Sequence, residues 1–247
     1  MPKTCINCHQ TFEGKFCNHC GQKSDTHRLT FHSILHDLQH GILHFDNGIF
    51  FTIKELFTRP GHSIREYIEG KRVNHFKPIS LVIVLATIYG FLYHYFNINV
   101  LSVPEESTDA FQIFKGTLAE LVGSKYFLVE LLYLPVFSFA SWLAFRKYHY
   151  NYIEHFILNA FITGQKLILK IILFPFLYFY DETGTITIIN AIDSNLGILI
   201  SAWTFLQFFN KEKKHIVIRN LFFTYGILIL IIAAFSVVGK YVMSVFD

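Results

Sequence analysis

Beyond Ile79 the chain is a succession of long apolar stretches divided by short polar links, and no other feature limits its folding so severely. In hydrocarbon a backbone must satisfy its own hydrogen bonds, so a run of about 20 apolar residues is best used as a helix crossing the ~30 Å core. Such runs lie at about 79–96, 126–145, 153–179, 187–209 and 216–238. They predict an all-α membrane protein, a five-span helical bundle occupying residues 78–247. A further crossing near 111–122 is too short and too polar. The hydrophobic share of 52% exceeds the roughly 45–50% of soluble domains. The net charge of +3 offers no basic excess for nucleic acid, so the lipid bilayer is the expected partner and nucleic acid is not.

Basic residues in short loops mark the cytoplasmic side, because Lys and Arg resist translocation. One set of flanks carries Lys71, Arg72, Lys77, Arg146, Lys147, Lys211, Lys213, Lys214 and Arg219; the opposite set carries Lys115, Lys125 and Lys240. The asymmetry predicts a cytoplasmic N-terminus, a C-terminus outside, and residence in the cytoplasmic (inner) membrane. The first apolar run starts only after Pro78, so the N-terminal head is expected to stay where it is made.

That head, residues 1–24, reads as a zinc ribbon. Cys5-Ile-Asn-Cys8 and Cys17-Asn-His-Cys20 are two C-x2-C pairs, and paired thiolates at this spacing converge on a tetrahedral zinc ion. Disulfides are the alternative, but they are rare in the reducing compartment that the topology assigns. Gly21 follows the second pair and suits the positive φ such a turn favours, while His9 occupies the matching place after the first. Four protein ligands close the site, which makes the zinc structural rather than catalytic. Phe12 and Phe16 are the expected packing residues. So small a head should fold only with its metal, and ribbons of this kind bind partners, here a cytoplasmic protein, or cap a neighbouring domain.

Residues 25–77 form amphipathic, juxtamembrane helices. Phe31, Ile34, Leu35, Leu38, Ile42 and Phe45 recur at helical spacing. Beside them His32, His36, His40 and His44 stand four apart; this is either a metal- or pH-sensing stripe or a His-rich polar face. A short helix over Gly48–Thr58 stops at Arg59-Pro60-Gly61; Ser63 and Glu66 resemble a capping box, and Gly70 closes the helix they start. Lys71, Arg72 and Lys77, just before the first span, either contact anionic lipid headgroups or simply mark topology.

These residues carry a resemblance. Cys-x2-Cys…Cys-x2-Cys-Gly21-Gln22, then Glu55-Leu-Phe-Thr-Arg59-Pro60-Gly61-His-Ser-Ile64-Arg65-Glu66-Tyr67-Ile-Glu-Gly70-Lys71-Arg72, then Lys77-Pro78 before a hydrophobic domain, resembles an uncharacterised bacterial membrane-protein family. It is a domain of unknown function with an N-terminal four-cysteine zinc ribbon. The resemblance implies a zinc-ribbon membrane protein and supplies no catalytic residues.

Ionisable groups inside spans cost at least ~2.5 kcal/mol on insertion scales, so each raises a functional question. Glu130, Lys170 and Asp193 lie at matching depths in three spans, with Lys166 one turn from Lys170. They are expected to form a cluster, either a transport or proton-coupled site or a structural ion pair. No Ser/His/Asp set, glycine-rich phosphate loop or open metal site accompanies them, so an enzyme has no support. The function expected is a scaffold or assembly protein that binds a partner through the zinc ribbon. The alternatives are a small transporter or lipid-handling protein using the charged cluster, and a metal or pH sensor using the His stripe.

Overall fold

Arg59-Pro60-Gly61 ends one helix and starts the next, because proline has no N–H for a preceding turn yet fits the first turn of a new helix. The computed structural model describes residues 2–26, 28–31, 48–96, 126–179 and 183–246. On either side of the break stand α1 (Gly48–Thr58) and α2 (Pro60–Ile68). Ser63 does not cap a helix, as its spacing from Glu66 suggested. It lies a turn inside α2 with its hydroxyl 2.8 Å from Nε2 of His75, and Glu66 faces Arg59 and Lys71 instead. Gly70 does close the helix: the Lys71 N–H donates to the Glu66 carbonyl at 2.9 Å and the Gly70 N–H to that of Tyr67 at 3.1 Å, a Schellman turn in which Gly70 takes φ +119°.

The remainder is α3 (Pro78–Tyr95), α4 (Tyr126–Ala144), α5 (Tyr152–Phe179), α6 (Thr183–Phe208) and α7 (Lys214–Phe246), making seven α-helices among the described residues. A 3-10 turn at Arg146–Tyr148 joins α4 to α5. At the other end β1 (Lys3–Thr4) pairs antiparallel with β2 (Thr11–Phe12).

Helices occupy every apolar run, but only two among the described residues are long and apolar enough to cross a membrane, at Tyr152–Phe176 and Lys214–Phe235. The apolar parts of α3 and α4 are shorter, Pro78–Leu92 and Leu128–Ala144, and α6 dilutes its hydropathy with Asn190, Asp193, Ser194 and Asn195. By length and composition the expectation of five spans therefore reduces to two.

Helix α5 is the centre of the packing, touching α1, α2, α3, α4 and α6. Its Leu158, Phe161, Ile162 and Leu167 are fully buried. At Gly164 a Cβ would lie 2.7 Å from Leu81, so a side chain there would hold α3 off. Helix α7 packs on α4 and α6 and leaves Phe222, Phe223, Leu230 and Phe235 exposed.

Candidate functional site

The two C-x2-C turns are built alike. In the first, the Cys5 N–H donates to the Gln10 carbonyl at 2.9 Å and the His9 N–H to the Cys5 carbonyl at 3.0 Å. In the second, Cys17 and Gln22 pair at 2.8 Å and Gly21 and Cys17 at 2.8 Å in the same sense. His9 and Gly21 both take positive φ, 60° and 76°, so the histidine adopts the conformation that the glycine takes freely. The turns face each other and bring the four Sγ atoms within 4.8 Å of one another, with Cys5 3.5 Å from Cys20 and Cys8 3.6 Å from Cys17. No pair is disulfide-bonded. Four sulfurs around a tetrahedral ion with bonds near 2.3 Å stand about 3.8 Å apart, so the cluster has the dimensions to hold a metal ion.

Its electrostatics point the same way. The Gln10 N–H favours a Cys8 thiolate, but desolvation and the adjoining thiols push Cys8 up to about 12. Cys20, despite desolvation, falls to about 7 through hydrogen bonds from Gln22, Asn7 and its neighbours. The thiols resist ionising together, a conflict that a bound dication removes. Phe12 packs against Cys5 and Cys17. Phe16, expected beside it, is 58% exposed; its backbone bridges Lys23, and it is not among the residues packed on the cluster.

The head is fastened to the helical body. Buried Gln22 accepts hydrogen bonds at Oε1 from the Arg72 and Val73 N–H groups, both 3.1 Å. Thr26 sits where a Cβ on Gly70 would be, 2.7 Å from its Oγ1. Arg28 reaches the start of α5 with a two-pronged pair to Glu154, 2.7 and 2.8 Å, and donates to the His149 carbonyl at 2.7 Å.

The Arg-Pro-Gly…Arg-Glu-Tyr…Gly-Lys-Arg segment is where these ties meet. Arg59 bridges Glu55, at 2.6 Å, and Glu66, at 3.2 Å. Gly61 lies so close to the end of α6 that a Cβ would stand 2.2 Å from the Phe208 nitrogen. Arg65 donates to the Gln207 and Phe208 carbonyls, serving the carbonyls that a helix end leaves unpaired. Arg72 donates to the Tyr67 carbonyl at 3.1 Å and lies over the Tyr67 ring, and Lys71 pairs with Glu66 at 3.6 Å. Of the residues expected at lipid headgroups, Arg72 and Lys71 thus have protein partners, and Lys77 precedes Pro78 at the start of α3.

A second candidate lies within the bundle. Lys170 on α5 stands 3.6 Å from Glu130 on α4 and 3.7 Å from Asp193 on α6. All line a cavity of about 380 Å³ that Lys166 shares; the Lys166 ammonium sits over the Phe137 ring at 5.6 Å, its stem against Gly197. His32, His36, His40 and His44 lie outside the described residues.

Sequence reading passed over a third polar group. His155 Nδ1 is 3.1 Å from the Ser141 hydroxyl, which also receives the Asn159 amide at 2.8 Å. All three side chains are buried, with His155 Nε2 and Asn159 Oδ1 unpartnered among the described residues. The signal available was His155 and Asn159 four apart in an apolar stretch, where each must find a partner.

A family model described as "Protein of unknown function (DUF3667)" matches residues 46–90. The matched stretch covers α1, α2 and the larger part of α3, the segment to which the head and α6 are tied. No curated protein and no solved structure matches the chain.

Proposed function

We propose that this chain is a small transporter of the inner membrane of a bacterium, moving protons or a small charged solute through the cavity around Lys170, with the four-cysteine head as its fixed cytoplasmic cap. One observation carries the reading: three helices each deliver one charge, Glu130, Lys170 and Asp193, to a single cavity that also holds Lys166. Charges inside a span are costly and face cavities or one another.

The membrane arrangement belongs to the proposal. Helices α3, α4 and α6 join α5 and α7 as five spans, the N-terminus inside and the C-terminus outside. Helix α6, with 26 residues, rises about 39 Å, enough for a tilted crossing. The exposed Phe222, Leu230 and Phe235 of α7 suit lipid contact, and the basic flanks named above set the direction. The head metal is zinc: a four-sulfur set selects zinc or iron, and the spacing and closure are those of structural zinc sites. When bound, zinc supplies charge neutralisation and a covalent tie between the turns, and no chemistry on a substrate.

The test is reconstitution into vesicles holding a pH-sensitive dye, with a membrane potential imposed. Wild type should carry protons or a supplied charged solute, and Lys170→Ala and Glu130→Gln should abolish the flux. Silence of the wild type across protons, inorganic ions and amino acids would sink the transporter.

A second reading, a scaffold that recruits a cytoplasmic protein, is favoured by Phe16 and Ile6, 58% and 40% exposed on the head. Crosslinking in cells decides it: a partner captured by wild type and lost from a Cys17→Ser, Cys20→Ser variant supports the scaffold. The sensor reading rests on the His stripe.

A further inference from the structure

Where α4 ends and α7 begins, a cavity of about 450 Å³ opens between the two helices. Its size falls in the range of small-ligand sites, about 300–1,000 Å³. Arg146 and Lys147, from the 3-10 turn after α4, and Arg219, from the second turn of α7, all line it, and no acidic side chain does among the described residues. Exposed cations alone would be a topology mark. The cavity, however, also contains Asn220, whose side chain is 4% exposed and whose Nδ2 has no hydrogen-bond partner among the described residues. A buried donor left unpaired is unfavourable, and an acceptor seated among the three cations would satisfy it.

The other walls say what kind of acceptor. Leu143 and Phe223 line the same cavity and are exposed, 42% and 60%, so the cationic end continues into an open apolar surface. A phosphate between Arg146, Lys147 and Arg219 would accept charge-assisted hydrogen bonds, while chains attached to it would run along Leu143 and Phe223. Free phosphate uses the first half of this surface and leaves the second bare. We infer that the cavity between α4 and α7 is a binding site for the headgroup of an anionic phospholipid, the phosphate held by Arg146, Lys147, Arg219 and the Asn220 amide. Basic pockets between membrane helices bind such headgroups by the same physics. The inference rests on the membrane reading above and is independent of transport. Within the chain Arg146 lies over the Trp142 ring and Lys147 over the Tyr148 ring, contacts that still leave N–H groups to donate to a phosphate.

The full chain, purified in mild detergent, is mixed with phosphatidylglycerol or phosphatidylcholine and weighed by native mass spectrometry. Wild type should retain one phosphatidylglycerol at least tenfold more strongly than phosphatidylcholine. Arg146→Gln combined with Arg219→Gln should erase that preference, while Lys211→Gln combined with Lys213→Gln, the same loss of charge outside the cavity, should keep it. Asn220→Asp, nearly isosteric, should weaken retention at least threefold, which keeps the test decisive if the double arginine variant does not fold. Equal retention of both lipids, or a preference unchanged in Arg146→Gln/Arg219→Gln and in Asn220→Asp, overturns the site. Displacement of the lipid by millimolar inorganic phosphate overturns the lipid assignment in favour of a soluble phosphate ligand. Alkaline carbonate washing of the source membranes separates the premises: a chain that stays in the membrane but shows no lipid preference loses this site alone, whereas a chain released by the wash loses the membrane reading and the site with it.

Discussion

Lys170 stands 3.6 and 3.7 Å from two carboxylates, and removing it leaves Glu130 and Asp193 with Lys166 as the one cation lining their cavity among the described residues. Breaking a buried pair by deleting one partner costs about 3–5 kcal/mol. Here the side chains keep 16–28% exposure, so Lys170→Met should cost about 1–3 kcal/mol, read from thermal unfolding in detergent. The double variant Lys170→Met, Glu130→Gln should recover most of that stability, because the charges left in the cavity, Lys166 and Asp193, balance. Transport should not recover with it. If stability and flux return together, the cluster is structural. His75 offers a second test outside the spans. Burial, opposed by the Glu66 charge and aided by that of Arg59, lowers it to about 4 from an ordinary 6.5. The folded state thus prefers neutral His75, and the unfolded chain takes up its proton first. The contribution is complete above pH 6.5 and is lost as pH falls toward 4, at most about 3 kcal/mol. Between pH 7.5 and 5 the melting temperature of wild type should fall more steeply than that of His75→Gln, and parallel curves would rule the residue out.

Gly61 shows what the elements ask of one another. A Cβ there would meet the Phe208 nitrogen at 2.2 Å and the Thr204 carbonyl oxygen at 2.5 Å, both backbone, so α2 and the end of α6 would have to separate. Overpacking of this kind costs about 1–3 kcal/mol or more; Gly61→Ala should lie at the upper end, whereas Gly226→Ala, with nothing within 4 Å, should lose nothing. Melting temperatures of the two variants decide it, and equal values would mean that α2 is not seated as described. The same contact explains what could be read in advance. The local part of the Arg-Pro-Gly motif was legible, since proline and glycine state their backbone demands in sequence: the break at Arg59, the Gly70 closure and the Gly48–Thr58 helix all stand. Its purpose was not legible, because the Gly61 N–H donates to Oε1 of Gln207 and Arg65 to the Phe208 carbonyl, both more than 140 positions away. Ser63 misled for the same reason, its partner being His75 in the next loop. Matching depths brought Glu130, Lys170 and Asp193 together on paper, because a helix of known rise turns sequence distance into height. Hydropathy located the helices, but the polar half of α6 left the number of crossings beyond its reach.

Across the whole molecule, the head depends on the body and the body only lightly on the head. The buried core of the head is Cys5, Phe12 and Cys17, too little apolar area to fold alone, so docking on the body and, in the proposed reading, a bound metal together hold it. Its ties, Gln22 to the α2–α3 loop and Arg28 to Glu154, touch the outside of an assembly whose centre is α5. Stripping the metal with a chelator should therefore release the head without unfolding the bundle. Trypsin should then cut after Lys15 and Lys23 within minutes, where the metal-loaded protein resists, while circular dichroism changes by a few per cent. Readdition of zinc should restore resistance at one ion per chain. Gln22→Ala should speed cleavage with metal still bound, because docking fails while the cluster survives, and Cys17→Ser should be cut without any chelator. If metal loss instead melts the helices, the head is holding α2 against α6, and the segment matched at residues 46–90 transmits the state of the metal site to the bundle.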